Sequence, residues 1–276
     1  MPAPLVVKFG GELLEDPSRL NVVVAATLSL SAQGAPLIIA HGGGKEIDAA
    51  LKRAGLEKRQ VDGLRMTDAA TLDVVVSVLA GAVNTRFVAA LTTAGVAAVG
   101  LTGADGACGL SEAAPPHRGV DGRTVNLGHV GLPSDRADMR LLNTLVGNGF
   151  VPVIACIGLG RDGRLFNVNA DTFAGHLAAL LRARRLVIAG TTPGVLDDTG
   201  ATIGVLESAA IDRLVNGGTA TAGMIAKLRA CEHAIANGVG DVVIVDGRDQ
   251  AALEATAGKD VPAAATRVIS KTAVTT

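Results

Sequence analysis

Short apolar runs alternate with longer helix-like stretches along this chain, and this alternation constrains the fold more than any other feature. The apolar runs, most of them rich in β-branched residues, are residues 5–9, 37–40, 97–101, 151–155, 186–189 and 242–245. The helix-like stretches are residues 17–33, 46–54, 68–94, 136–148, 171–182, 207–215 and 222–237. Strands that are buried on both faces are typical of parallel sheets covered by helices. We therefore predict an α/β fold with a mainly parallel sheet.

Two segments interrupt the alternation and are predicted to be hairpins, residues 107–130 and residues 159–165. Each contains an Asp-Gly pair that favours a tight turn between antiparallel strands, namely Asp121-Gly122 and Asp162-Gly163. The second segment overlaps a GxGxxG pattern. The residues after that pattern look like a returning strand, whereas a dinucleotide-binding fingerprint requires a helix there. We therefore expect no dinucleotide site at this pattern.

Composition excludes several classes of function. The 276 residues carry 25 basic and 26 acidic side chains, and they include no Trp or Tyr. A net charge of −1 gives no general attraction to nucleic acid or to anionic membranes, and single-strand binding needs stacking aromatics. No signal peptide and no run of about 18 apolar residues is evident. We expect a soluble cytoplasmic protein whose three cysteines are buried and reduced, without metal-ligand spacing.

Glycine clusters follow the first two predicted strands. Gly10-Gly11 comes after residues 5–9, and Gly42-Gly43-Gly44 comes after residues 37–40 and His41. Because exposed backbone N–H groups and helix N-termini bind anions, two such loops on neighbouring strands could hold one polyanion. The alternative is that they are only tight turns. The second loop is not a P-loop, since the required GK[ST] sequence is absent.

Three further segments are more polar than the fold requires. Arg65 lies in a short loop before a helix, and its guanidinium could bind a carboxylate, although a solvated loop charge is equally plausible. Asn167, Asn169 and Asp171 precede or begin a helix, where a plain N-cap is the alternative. Lys227 follows a small-residue loop, residues 217–223, near the start of a helix, where a solvated lysine is the alternative. Together these groups suit phosphoryl transfer between a nucleotide and a small carboxylate.

Seven motifs, in order along nearly the whole chain from Lys8 to about residue 245, resemble the amino acid kinase family. They are KFGGELL, HGGGKEID, DGLRMTD, GHVG, NVNAD, TPGVL and TAGMIAKL. The resemblance implies a three-layer αβα sandwich with an open, mainly parallel central sheet. It also implies an N-terminal lobe, residues 1–180, for acyl-acceptor binding and dimerisation. A C-terminal lobe, residues 181–276, would bind ATP.

The resemblance also implies roles for individual residues. Lys8 and Lys227 would neutralise the transferred phosphoryl group, and Asp171 would hold both lysines in place. The acceptor, implied to be N-acetyl-L-glutamate, would contact Arg65, Asn167, Gly43 and Gly44. ATP with Mg²⁺ would contact the two lysines, the loop amides and the segment after the fifth strand, namely Gly10, Gly11, Thr192, Pro193 and Gly194. No protein side chain is predicted to be a dedicated metal ligand.

Some features depart from the family pattern, and other functions stay open. Residues 188–192 lack an aspartate that relatives often carry near the nucleotide. No extra helix precedes the first strand, so we expect a homodimer that is insensitive to arginine. The alternative enzyme is a kinase that acts on carrier-protein-linked aminoadipate, and the alternative non-enzyme is a ligand sensor on a kinase fold. A nitrogen-signalling partner has no support in the sequence.

Overall fold

The computed structural model describes residues 2–34, 36–119, 122–216, 222–258 and 261–270. Within these residues the strands are β1 (Leu5–Phe9), β2 (Leu37–His41), β3 (Gln60–Val61), β4 (Leu64–Arg65), β5 (Ala98–Thr102), β6 (Ser111–Ala113), β7 (His117–Arg118), β8 (Thr124–Val125), β9 (Gly131–Pro133), β10 (Val151–Ala155), β11 (Ile157–Leu159), β12 (Leu165–Asn167), β13 (Arg185–Gly190), β14 (Val205–Glu207), β15 (Val242–Asp246) and β16 (Thr266–Ile269).

The α-helices in the same part of the chain are α1 (Gly11–Leu14), α2 (Pro17–Ala32), α3 (Gly44–Arg53), α4 (Ala69–Val76), α5 (Asn84–Thr93), α6 (Arg140–Gly147), α7 (Ala170–Leu180), α8 (Ile211–Asn216), α9 (Ala222–Ala236) and α10 (Gln250–Ala255). A π-helical segment, Ser77–Val83, joins α4 to α5. Short 3₁₀ segments lie at Asp105–Ala107 and Ser208–Ala210.

A single eight-stranded sheet forms the centre of the fold, in the order β14-β16-β15-β13-β1-β2-β10-β5. The strands from β15 to β5 are all parallel, whereas β16 runs antiparallel to β15 and pairs in parallel with β14. This topology confirms the predicted α/β class and the open, mainly parallel sheet.

Helices cover both faces of the sheet. Successive side chains of a strand point to opposite faces, so an apolar strand such as β1 has an apolar surface on each side that must be covered. Val6 of β1 belongs to an apolar cluster with Phe173 of α7 and Leu228 of α9. Its neighbour Val7 belongs to the cluster on the other face, which includes Phe87 of α5. The three predicted layers are therefore present, and the strands of the sheet centre are buried between them.

The six predicted strands all belong to the sheet, with ends that differ by one residue at most. β5 is the exception in burial: its residues are partly exposed, and the prediction that it is buried is wrong because it lies at the sheet edge with β10 as its neighbour. β14 and β16 are absent from the predicted strands, since each is short and only alternate residues are buried. Such segments carry no continuous apolar run.

Both predicted hairpin segments form antiparallel ladders. Two nested pairs form here, β6 with β9 and β7 with β8, and β9 lies just past the predicted end at residue 130. Asp121 of the predicted turn lies outside the described residues. β11 pairs with β12, and Gly163 N–H donates to the Gly160 carbonyl at the turn. The GxGxxG pattern is therefore a hairpin, as predicted. A further two-residue hairpin, β3 with β4, carries Arg65, which was expected in a loop.

The helical run Ala69–Thr93 is long and apolar enough to cross a membrane, judged by length and composition only. It departs from the expectation that no segment approaches the apolar length of a span. In this fold 39% of its apolar window is buried, and Val83, Phe87 and Leu91 of the run are fully buried in the core.

The central strand β1 pairs with β2 on one side and with β13 on the other. One sheet therefore crosses the proposed boundary at residue 180, and the division into two lobes stays a prediction. The three cysteines are free and buried, as expected.

Candidate active site

Two lysines and one aspartate meet at the carboxyl end of β1. Lys8 shares a sheet face with Val6, so its side chain points toward α7 and α9. Its Nζ lies 2.9 Å from Asp171 Oδ1, and Lys227 Nζ of α9 lies 3.5 Å from Asp171 Oδ2. The three residues, predicted to act together, are thus brought together by three distant parts of the chain.

The N-terminus of α7 places Asp171 at this meeting point. Asn169 is the N-cap, and its side-chain oxygen accepts hydrogen bonds from the backbone N–H groups of Asp171 and Thr172 at 3.0 and 3.1 Å. This is the plain N-cap that the sequence left as an alternative for the Asn/Asp segment. For Asn169 that interpretation is correct, and the cap fixes the first helical turn in which Asp171 lies.

Burial and charge act against each other at this cluster. Burial alone would raise the pKa of Asp171, but Lys8 and Lys227 outweigh it, and the pKa is lowered below its ordinary value. Burial likewise lowers the pKa of Lys8, yet the adjacent Asp171 carboxylate more than compensates and the pKa is raised. Both groups are therefore ionised at neutral pH. Glu12 is a second carboxylate that acts on Lys8, so the two ammonium groups are nearly balanced in charge, and what they offer an anion is a pair of N–H donors rather than a large net positive charge.

The two glycine loops pack directly against each other. A Cβ built on Gly11 would lie 2.5 Å from the Gly43 Cα, so only glycine permits this approach. Gly43 is the N-cap of α3 and Gly44 is its first residue, so N–H groups of the first turn lack intrahelical acceptors. Gly10 differs from the prediction: its N–H donates to the Ala189 carbonyl at 2.9 Å and is not available to a phosphate in this arrangement.

A cavity of about 230 Å³ extends from the lysine cluster past the second glycine loop. Its lining includes six of the predicted site residues, namely Lys8, Gly43, Gly44, Arg65, Asn167 and Asp171. Lys227 joins this group through its ion pair with Asp171. The predicted acceptor-binding residues and the predicted phosphoryl-binding residues therefore border one space.

Arg65 also lines the cavity. Its side chain is only 9% exposed, and Nη2 donates to the Gly44 carbonyl at 3.3 Å and to the Asp48 carboxylate. Its Nη1 is buried without a hydrogen-bond partner. Asn167 donates through Nδ2 to Thr67 Oγ1 at 3.2 Å. Asp48 was not singled out from the sequence, because its spacing from Gly44 within one helix does not reveal the contact with Arg65.

The predicted nucleotide segment lies apart from the cavity lining. Thr192, Pro193 and Gly194 follow the carboxyl end of β13, and a Cβ on Gly194 would lie 2.5 Å from Thr266 Oγ1 of β16. At the same strand end, a Cβ on Gly190 would lie 3.3 Å from Glu12 Oε1 and 3.9 Å from Lys227 Cε. The residue that ends β13 is therefore next to the lysine cluster, and the nucleotide segment begins two residues after it. Residues 217–221 of the loop before α9 lie outside the described residues.

His41 precedes the second glycine loop but is not suited to proton transfer. It is fully buried, and burial lowers its pKa to about 4. Asn84 Nδ2 donates to its Nε2 at 3.0 Å, which leaves its Nδ1–H to donate to the Gly42 carbonyl at 3.1 Å. His41 is therefore neutral and supports the end of β2.

Comparison with known proteins decides the family. A model of the amino acid kinase family matches residues 3–246. The chain belongs to the amino acid kinase family. Acetylglutamate kinase of Novosphingobium aromaticivorans is 42% identical over 252 residues, which cover 88% of this chain and 83% of that protein. Acetylglutamate kinase of Brachyspira hyodysenteriae is 39% identical, over 88% of this chain and 83% of that protein.

Solved structures show the same fold at lower identity. N-acetylglutamate synthase of Neisseria gonorrhoeae, complexed with coenzyme A and N-acetyl-glutamate, matches 98% of this chain with a TM-score of 0.82 and 24% identity, and this chain spans 60% of that synthase. Carbamate kinase of Giardia lamblia bound to AMP-PNP matches 98% of this chain and 99% of that chain, with a TM-score of 0.69 and 14% identity. As an amino acid kinase family member the protein is a kinase, and the cavity beside Asp171 is its candidate transfer site.

Proposed function

We propose that this protein transfers the γ-phosphoryl group of ATP to the γ-carboxylate of N-acetyl-L-glutamate. The product would be N-acetyl-L-glutamyl 5-phosphate, an intermediate of arginine biosynthesis. One observation carries the proposal: a single cavity is lined by Lys8 and Asp171, to which Lys227 is paired, and by Arg65, whose Nη1 has no hydrogen-bond partner. Relatives 38–42% identical over 88–90% of the chain are acetylglutamate kinases.

The reaction needs charge stabilisation more than it needs a base. A γ-carboxylate is already ionised at neutral pH, with a reference pKa of about 4.3. The difficulty is to bring this anion against the negatively charged phosphates. Lys8 and Lys227 would offset that repulsion and stabilise the charge of a loose, in-line transition state. Asp171 would hold the two ammonium groups in place, so that neither has to move during transfer.

The acceptor would lie along the cavity. Arg65 would bind its α-carboxylate through the free Nη1, and Asn167 would contact it close to Thr67. The first-turn N–H groups of α3, beside Gly43 and Gly44, would donate to the reacting end. A carboxylate at each end of the acceptor thus meets a cationic or N–H-rich surface.

The nucleotide would approach from the carboxyl end of β13, past residues 192–194. The described residues contain no group of three or more His, Cys, Asp and Glu side chains that could hold a metal ion. The carboxylates close to the two lysines are Asp171 and Glu12. Because so few protein oxygens are available, Mg²⁺ would be held mainly by the phosphates of ATP. Bound in that way, Mg²⁺ supplies charge neutralisation on the phosphate oxygens.

The test is acyl-phosphate trapping. The protein is incubated with ATP, Mg²⁺ and hydroxylamine, and acyl-hydroxamate colour is read with N-acetyl-L-glutamate, glutamate, aspartate and N-acetylaminoadipate in parallel. Colour with N-acetyl-L-glutamate alone is the expected result. No colour with any free acid would refute the proposal. Colour with a carrier-linked aminoadipate, or binding without turnover, would then identify the alternative kinase or the sensor.

We further propose a cytoplasmic homodimer. Free, buried thiols at all three cysteines suit a reducing compartment. The edge strand β5 and the neighbouring face of α5 leave Val88, Ala89 and Gly100 around an open groove, which supports pairing of two copies there. Light scattering is expected to give twice the 27.7 kDa chain mass, and a monomer at micromolar concentration would contradict the dimer.

A further inference from the structure

A carboxylate on α3 fixes the position of Arg65. Asp48 follows Gly44 by four residues, so the two lie on the same side of α3. Arg65 Nη2 donates to Asp48 Oδ1 and, at 3.3 Å, to the Gly44 carbonyl. Although Arg65 belongs to the small hairpin strand β4, its guanidinium is therefore tied to the first turns of α3.

Asp48 is itself held on its other side. Lys58 Nζ donates to Asp48 Oδ2 at 2.7 Å, so each carboxylate oxygen has its own cation. Partial burial would raise the pKa of Asp48, but the bonds from Lys58 and Arg65 outweigh it and lower that pKa. The carboxylate is thus ionised whenever the site is at neutral pH.

This arrangement leaves the Nη1 amino group of Arg65 for a ligand. With Nη2 occupied by Asp48 and Gly44, the two N–H groups of the buried Nη1 have no partner, and Arg65 is one of the residues that line the cavity. Arg65 and Lys58 together carry two positive charges against the one negative charge of Asp48. The group is therefore net positive, and Asp48 orients Arg65 without cancelling its attraction for a second anion.

We propose that Asp48 is a positioning residue that orients Arg65 and thereby selects acceptors carrying a carboxylate in addition to the one that is phosphorylated. This inference rests on the proposed function, in which Arg65 binds the α-carboxylate of N-acetyl-L-glutamate. Lys58 keeps Asp48 ionised and in place, and it contributes the second positive charge of the group.

The test compares two ligands that differ only in the α-carboxylate. The KM of N-acetyl-L-glutamate is measured together with the inhibition constant of 4-acetamidobutyrate, which has the reacting carboxylate and the acetamide but no α-carboxylate. Asp48→Asn should raise the KM about 10-fold, the loss expected for one bond to a charged group. The kcat, the KM of ATP and the inhibition constant should stay within about 2-fold, because Asp48 pairs with Lys58 and Arg65 and not with the lysine cluster.

Glu57→Gln is the matched control. It removes the same charge nearby, but the Glu57 side chain is 76% exposed and pairs with Arg59, outside the cavity. It should leave every constant unchanged. If Asp48→Asn fails to fold by circular dichroism, Lys58→Met serves instead, with an expected 2- to 3-fold rise in the KM of N-acetyl-L-glutamate for loss of a half-exposed partner.

Two kinds of failure are distinguishable. Wild-type turnover with an unchanged KM in folded Asp48→Asn, or equal weakening of both ligands, would overturn the role of Asp48 and leave the proposed function intact. Absence of acyl phosphate in the wild type would refute the function. In that case calorimetric titration with N-acetyl-L-glutamate in the absence of ATP decides on Asp48: weaker binding by Asp48→Asn supports the role, and equal or absent binding in both proteins overturns it.

Discussion

Asp171→Asn would remove one negative charge from between two ammonium groups while preserving the shape of the side chain. In the wild type the Asp171 side chain is 8% exposed, with Lys8 Nζ at 2.9 Å and Lys227 Nζ at 3.5 Å. The substitution leaves two positive charges close together at a largely buried position. Removing one partner of a buried ion pair costs about 3–5 kcal/mol of unfolding free energy.

This cost is large enough for a thermal measurement. At about 2–4 °C per kcal/mol for a chain of this size, Tm should fall by roughly 6–20 °C. Asp162→Asn is a matched control, since its side chain is 51% exposed and pairs with Arg164 at a hairpin turn. An Asn-Gly turn is as favourable as Asp-Gly, so Tm in the control should change by no more than about 2 °C.

The turnover of Asp171→Asn should depend on pH in a definite direction. Without Asp171, burial is the main influence left on Lys8, and the pKa of its ammonium should fall. Turnover should drop by about 10²- to 10³-fold at neutral pH, and the remaining activity of the variant, relative to wild type, should rise as the pH is lowered and Lys8 regains its proton. The hydroxamate rate between about pH 6 and pH 9 measures both effects.

The same reasoning predicts the response to nucleotide. The phosphates of ATP bring the negative charge that the variant lacks, so saturating ATP should raise the Tm of Asp171→Asn more than that of the wild type. Wild-type Tm and wild-type turnover in Asp171→Asn would refute the idea that this carboxylate holds the lysines.

Three further predictions concern other parts of the molecule. Gly11→Ala places a methyl group 2.5 Å from the Gly43 Cα and should lower the hydroxamate rate at least about 10-fold, whereas Gly204→Ala, with open space around it, should not. Asp241→Asn leaves two arginines without their shared buried carboxylate, so urea unfolding should show a loss of about 3 kcal/mol with both KM values unchanged. The pKa of His41, lowered by burial to about 4, lies below its unfolded value, so acid favours the unfolded chain. Stability should fall by about 2 kcal/mol from pH 7.5 to pH 5, and less in His41→Gln.

The sheet centre could be predicted from the sequence because its strands are uninterrupted apolar runs. β1 and β10 have the predicted bounds, since both faces of each are buried and every residue carries the same signal. β14 and β16 could not be recognised in that way, because tertiary pairing at the sheet edge and not local composition makes them strands. The bend of the β3–β4 hairpin depends on Asp62 and Gly63 at φ 48° and 77°, a conformation that a short polar segment does not reveal.

The sequence indicated which kinds of residue form the site, but it did not indicate which of them contact each other. Lysines and glycines beside strand ends indicate anion binding, and the structure gathers Lys8, Asp171 and Lys227 within 3.5 Å. The Gly10 N–H could not be excluded as a phosphate donor from sequence, since its acceptor Ala189 is about 180 residues away. Asp48 was missed for a similar reason: its partner Arg65 lies on another element, and a helical aspartate is usually solvated.

The position of β1 between β2 and β13 has a consequence during synthesis on the ribosome. One edge of β1 can pair as soon as residues 37–41 emerge, but its other edge waits for β13, which ends at Gly190. Between the end of β1 and the end of β13 the ribosome adds about 180 residues. At about 5–20 residues per second, this takes roughly 10–35 s. During that time an apolar strand has an unpaired edge, which favours association with other nascent chains. A strand that lies at the centre of the finished sheet is therefore exposed at one edge during much of synthesis.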